Sequence, residues 1–149
     1  MKVFWLKKFT GENPLPLYRS FLESENLYSA NVEETLPFSY VTINNPIKSN
    51  LVYILNTLYL KSYDCSALKL FMTDDVSYAS NNANNNLEIK HLNDNINISD
   101  MIELPTITNT SNLLSNHYVI IIPGGSLIIK TNSPILNAKL CVNYTTQEL

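Results

Sequence analysis

The alternation of apolar and polar positions is most regular in the last third of the chain. Residues 118–122 are almost all β-branched or aromatic, and the same character resumes over 127–131 after Pro123, Gly124 and Gly125. Such runs suit the pleated, half-buried surface of a strand. Proline has a fixed φ and no N–H, and glycine enters φ > 0 without a Cβ penalty, so these three residues specify a tight reversal between two strands. A second break at Asn132, Ser133 and Pro134 leads into residues 135–144. There Ala138, Leu140, Val142 and Tyr144 alternate with Asn137, Lys139, Cys141 and Asn143. A period of two predicts an antiparallel strand with one face on a core.

Upstream, residues 50–61 (NLVYILNTLYLK) place Leu51, Tyr53, Leu55, Thr57 and Tyr59 on one side and Val52, Ile54, Asn56, Leu58 and Leu60 on the other. Both faces are largely apolar, so this strand is either central and covered on both sides or meets a partner with one face. Residues 67–73 alternate Leu68, Leu70 and Met72 with Ala67, Lys69 and Phe71, which predicts another antiparallel strand. Shorter strands are expected over 87–91 and over 96–104, the latter stopping at Pro105, with a polar connection over 106–116. Residues 73–86 are dominated by Asn, Asp and Ser without a period, so they predict an exposed loop that is mobile or used for contact, with Tyr78 inside it.

The front of the chain reads differently. A short strand is expected over 3–9 and a turn over 11–14. Pro16 stands at a first helical position with Leu15, Tyr18, Phe21 and Leu22 at helical spacing, which predicts a short helix over 16–24. Residues 25–34 are polar and without period, and strand character returns over 38–43. The whole pattern predicts an all-β protein, an antiparallel two-sheet β-sandwich of jelly-roll type with about eight strands. The sandwich is assigned to residues 47–149, and residues 1–46 to an N-terminal arm with its short helix. Phe4, Trp5, Phe9, Tyr18 and Phe21 give this front segment too much apolar surface for a disordered tail. It either closes one end of its own sandwich or lies as an arm on a neighbouring subunit, with Phe4, Trp5, Tyr18 and Phe21 as the contacts.

Composition narrows the function. With 149 residues the chain makes one domain, able to bury on the order of 70% of its unfolded surface without disulfide support. Cys65 and Cys141 have no CxxC or Cys/His spacing, so half-buried thiols are expected and no metal. The net charge of −3, with Arg19 as the sole arginine, argues against a nucleic-acid partner. No apolar run approaches the roughly 18–20 residues of a membrane helix, and the apolar stretch at 3–6 is too short for a signal peptide. An intracellular, cytoplasmic site of synthesis is the expectation. Charged residues are only 15% of the chain, and the resulting Asn, Ser and Thr surface suits closely packed subunits.

Candidate chemistry is sparse. His91 and His117 stand at strand ends without a GxSxG, an HExxH or a neighbouring cysteine. Asp64, Asp74 and Asp75 have no calcium-loop spacing. The Pro123-Gly124-Gly125-Ser126 run lacks the Lys-Ser/Thr ending and the following helix of a phosphate loop. Neither enzymatic activity nor a cofactor is expected. Tyrosines in loops can form sugar platforms, and Tyr63 and Tyr78 support a second reading as a receptor- or glycan-binding module.

The order of segments carries a resemblance. NLVYILNT, a short polar loop, SALKLFMTDD, an Asn-rich region, ISDMIELP and finally IIIPGGSLIIKTNSPILNAKLCVNY together resemble small β-sandwich virion proteins of tailed bacteriophages. The likeness covers residues 47–145 and consists of strand and turn types. It implies a non-enzymatic capsid-decoration, head-fibre, neck or tail-associated subunit, located in the virion, that forms a homo-oligomer in a symmetric assembly and binds other virion proteins.

Overall fold

The structure, a computed structural model, describes residues 1–7, 27–62, 68–81, 85–105, 112–115 and 117–149. Among them run ten strands: β1 (Val3–Lys7), β2 (Tyr28–Glu34), β3 (Phe38–Asn44), β4 (Leu51–Lys61), β5 (Leu68–Thr73), β6 (Glu88–Leu92), β7 (Ile102–Leu104), β8 (His117–Ile121), β9 (Ser126–Ile135) and β10 (Ala138–Glu148). They form two five-stranded antiparallel sheets, ordered β1-β8-β4-β10-β2 and β6-β3-β9-β5-β7. Without β1 and β6, the eight remaining strands pair first with last: β2 with β10, β3 with β9, β4 with β8, and β5 with β7. One long hairpin folded over on itself pairs in this way, and it is the jelly roll.

The inner faces supply the main core. Val41 and Ile43 of β3, Leu70 and Met72 of β5, and Leu127 and Ile129 of β9 face Tyr53, Leu55, Leu58 and Leu60 of β4, Val119 and Ile121 of β8, and Leu140 and Val142 of β10. The two apolar sides of β4 have a local cause. Its register with β10 steps between Leu55–Tyr144 and Thr57–Asn143, so Asn56 is an extra residue, a β-bulge. The bulge resets the alternation: Tyr53 and Leu55 point inward before it, and Leu58 and Leu60 point inward after it. Val52 and Ile54 point outward, where they pack with Ile120, Leu6, Tyr118 and Ile122. The other sheet is also covered outside, since Ile96, Ile98 and Met101 lie with Tyr78 and Leu92 over Tyr40, Phe71 and Ile128.

Several expectations are corrected. The division at residue 46 does not separate an arm from the sandwich, because β1 and β2 are the edge strands of one sheet and β3 lies inside the other. Residues 28–34, read as aperiodic, form β2, with only Ala30, Val32 and Glu34 partly withdrawn from solvent. Residues 96–104 form a strand only over β7; the apolar residues before it are apolar because they cover a sheet. The break at Asn132, Ser133 and Pro134 does not end the strand, and β9 continues to Ile135. Its pairing with β3 jumps from Tyr40–Lys130 to Phe38–Ile135. Pro134 sits in that irregular stretch, so its missing N–H removes no ladder bond. The reversal falls instead at Leu136 and Asn137, where Asn137 takes φ 53°. The helix expected over 16–24 lies outside the described residues.

The Pro123-Gly124-Gly125 reversal is a turn, with Gly124 at φ 89°. Asn45, fully buried, ties it to both sheets. Its backbone N–H donates to Gly125 O (3.1 Å) and its O accepts from Gly124 N (2.9 Å). Its Nδ2 donates to Leu51 O (2.8 Å) and Ile121 O (2.9 Å).

Candidate functional site

Each of the residues singled out in the sequence has a definite place or lies outside the described residues. Phe4 faces outward on β1 and is part-exposed. Trp5 turns the other way, packs on the main core and stacks on His117 with ring centroids 4.3 Å apart. Trp5 is thereby corrected from a partner anchor to part of the domain's own packing. Tyr18, Phe21 and Tyr63 lie outside the described residues. Tyr78 closes a single 3-10 turn (Val76–Tyr78), capped by Asp75, whose Oδ1 accepts Ser77 N–H at 3.0 Å. Its ring packs with Tyr40 and Phe71, so it is not an open platform. Pro123, Gly124 and Gly125 serve the turn. His91 faces inward from β6, edge-on to Phe38 at 4.7 Å, with Nδ1 4.0 Å from Glu34 Oε2 across the two sheet edges.

Two surface features do gather residues that the sequence keeps apart. The first is a cleft of about 330 Å³ lined by Tyr28, Leu51, Tyr53, Asn85, Asn86, Leu87, Tyr144 and Thr146. Register builds it. Tyr144 of β10 is paired with Tyr28 of β2 on one side and with Leu55 of β4 on the other. The Tyr28 and Tyr144 rings stack at 5.7 Å and 29°, and Tyr53 tilts against Tyr144 at 5.6 Å. The Tyr53 hydroxyl donates to Asn85 O, and Asn85 Oδ1 accepts Asn50 N–H at 3.0 Å, so the strand β4 and the segment before β6 are pinned together.

Burial, helped by Tyr144, pushes the Tyr53 hydroxyl up to about 12; burial, helped by Tyr28, also raises Tyr144. Both stay protonated at neutral pH. None of the described lining residues is ionised. The cleft therefore offers aromatic faces, amides and hydroxyls without charge.

The second feature is an end of the sandwich. The pairings Glu34–Ala138 and Phe38–Ile135 bring the β2–β3 and β9–β10 turns side by side. These turns leave Leu36 69% and Leu136 42% exposed. Leu36 N–H is held by Glu34 Oε1 (2.9 Å), and Leu136 O by the Ser62 hydroxyl (3.1 Å), so neither turn backbone is free to fold its leucine inward. Beside them Lys61 and Lys139, partners across β4 and β10, border a shallow cavity of about 330 Å³. This end presents apolar surface flanked by charges of both signs, since Lys139 is paired across strands with Glu33 as well as with Lys61, and Glu34 caps Leu36.

No protein-family model, no curated protein and no solved structure matches the chain.

Proposed function

We propose that this protein is a non-enzymatic structural subunit of a bacteriophage virion. It binds neighbouring subunits, copies of itself included, through the end bearing Leu36 and Leu136. The exposed leucine pair on two tethered turns of a jelly roll carries the reading, and the resemblance to small virion sandwiches names the assembly. Covering the exposed parts of both leucines contributes about 2–3 kcal/mol per contact. One such contact is weak. A closed symmetric assembly repeats it around the ring, so modest contacts accumulate into a durable particle.

The test is incorporation. Tagged chain is supplied during infection and its amount in purified particles is measured, together with its far-ultraviolet circular dichroism. The double variant Leu36→Asp/Leu136→Asp should keep its β spectrum and disappear from the particles. Retention of the variant, or absence of the unaltered chain from particles, would overturn the proposal.

A further inference from the structure

We infer that the tyrosine cleft binds a neutral pyranose unit of a glycan. Three properties of its walls converge on that class. The first is the aromatic surface: Tyr28, 45% exposed, stacks on Tyr144 at the mouth, and Tyr53 forms the buried floor. The C–H-bearing face of a sugar ring packs on such surfaces, and a tyrosine adds a hydroxyl at the rim.

The second is the polar set. Asn85 uses its Oδ1 on Asn50 N–H, which turns its amide N–H₂ into the group available to donate. Thr146 adds a hydroxyl that both donates and accepts. A floor whose own hydroxyl is already committed to Asn85 O does not compete for the ligand. The third is charge. With no ionised side chain among the described lining residues, a phosphate, a carboxylate or an ammonium group would lose its hydration without compensation. A neutral polyol loses nothing of that kind. The volume of about 330 Å³ is at the lower end for small-molecule pockets, which suits one ring with the rest of the chain leading outward.

This site differs from Tyr78 and from the leucine-bearing end, and its test separates all three. A panel of immobilised neutral oligosaccharides, containing glucose, galactose and N-acetylhexosamines, is screened with the full chain, and hits are titrated by calorimetry. At least one neutral glycan should bind. Tyr28→Ala should weaken it about tenfold, the scale of one aromatic stacking contact with its buried area. Tyr28→Phe should restore most of the affinity, Tyr78→Ala should leave it unchanged, and Leu36→Asp/Leu136→Asp should bind sugar normally while failing to join particles. The inference is overturned if no neutral glycan binds at millimolar concentration, if only acidic glycans bind, or if Tyr28→Ala binds as well as the unaltered chain.

Discussion

Gly125→Ala tests whether β1 is part of the sandwich or a removable arm. A Cβ at position 125 would stand 2.6 Å from Lys2 O and 3.0 Å from both Lys2 Cβ and Val3 Cγ2. The closest atom is backbone, and it cannot simply retreat, because Lys2 O accepts Ile122 N–H at 2.9 Å. Relief therefore means moving β1, which lengthens that hydrogen bond and lifts Val3, now fully buried, from its seat. Overpacking of this kind costs about 1–3 kcal/mol. For a chain of this size that corresponds to a fall in Tm of roughly 3–10 °C, read by calorimetry and checked by urea denaturation.

Gly124 provides the contrast. A Cβ there meets chiefly the mobile tip of Lys2, Nζ at 3.0 Å, but φ is 89°. Its cost is backbone strain, so Gly124→Asn should be milder than Gly124→Ala, because Asn tolerates the left-handed region better. Gly125→Asn should be no milder than Gly125→Ala. If Gly125→Ala melts with the unaltered protein, β1 is not seated against the turn, and the reasoning fails.

Two further outcomes follow from the packing. Burial pushes the His91 imidazole below its ordinary 6.5 more than Glu34 raises it. The unfolded chain therefore takes up this proton first, so stability is complete above pH 6.5 and declines as pH falls from 6.5 toward the folded value. Between pH 7.5 and 5, His91→Gln should show a shallower loss of Tm than the unaltered protein; identical slopes would refute the assignment. Asn56 is the extra residue that keeps Tyr53 and Leu55 in phase with Leu58 and Leu60. With the bulge in place, inserting one alanine after it shifts that phase, so either Leu58 and Leu60 or Tyr53 and Leu55 must leave the core, a loss of at least about 3 kcal/mol by urea denaturation. An insertion variant as stable as the parent would show that this phase does not set the register.

The strands that carry the core were legible because their pattern is dense: β10 and, Phe71 apart, β5 alternate apolar with polar residues at a period of two, and β4 and β8 are nearly continuous apolar runs, although the change of phase at Asn56 was not legible. Edge strand β2 was not, since YSANVEE buries no residue fully: Ala30, Val32 and Glu34 on its inner side are only partly withdrawn from solvent. Residues 96–101 misled for the opposite reason. Ile96 and Ile98 mimic a strand's alternation, while their apolar character answers to the outer face of the second sheet. The tyrosine cleft left no local signal at all. Tyr28, Tyr53 and Tyr144 come from three separated parts of the chain and meet only through the pairing of β2, β10 and β4, which is fixed by the folding-over of the whole hairpin. Leu36 and Leu136 likewise lie a hundred residues apart and become neighbours by register.

The same strand sets how the two proposed sites relate. Tyr28 begins β2, and Leu36 lies just beyond its end. Six residue steps along an antiparallel strand span about 20 Å, so the cleft and the leucine-bearing end are held apart by a rigid, hydrogen-bonded rod. A neighbouring subunit docked at the leucines has no need to cover the tyrosines. Nor does either site draw on the other's residues: Tyr144 and Tyr53 tie the cleft to β10 and β4, whereas Ser62 and Glu34 tether the turns. Contacts this far apart without shared partners behave additively. A combined Tyr28→Ala/Leu36→Asp/Leu136→Asp variant should therefore lose both sugar binding and incorporation by the amounts each change produces alone.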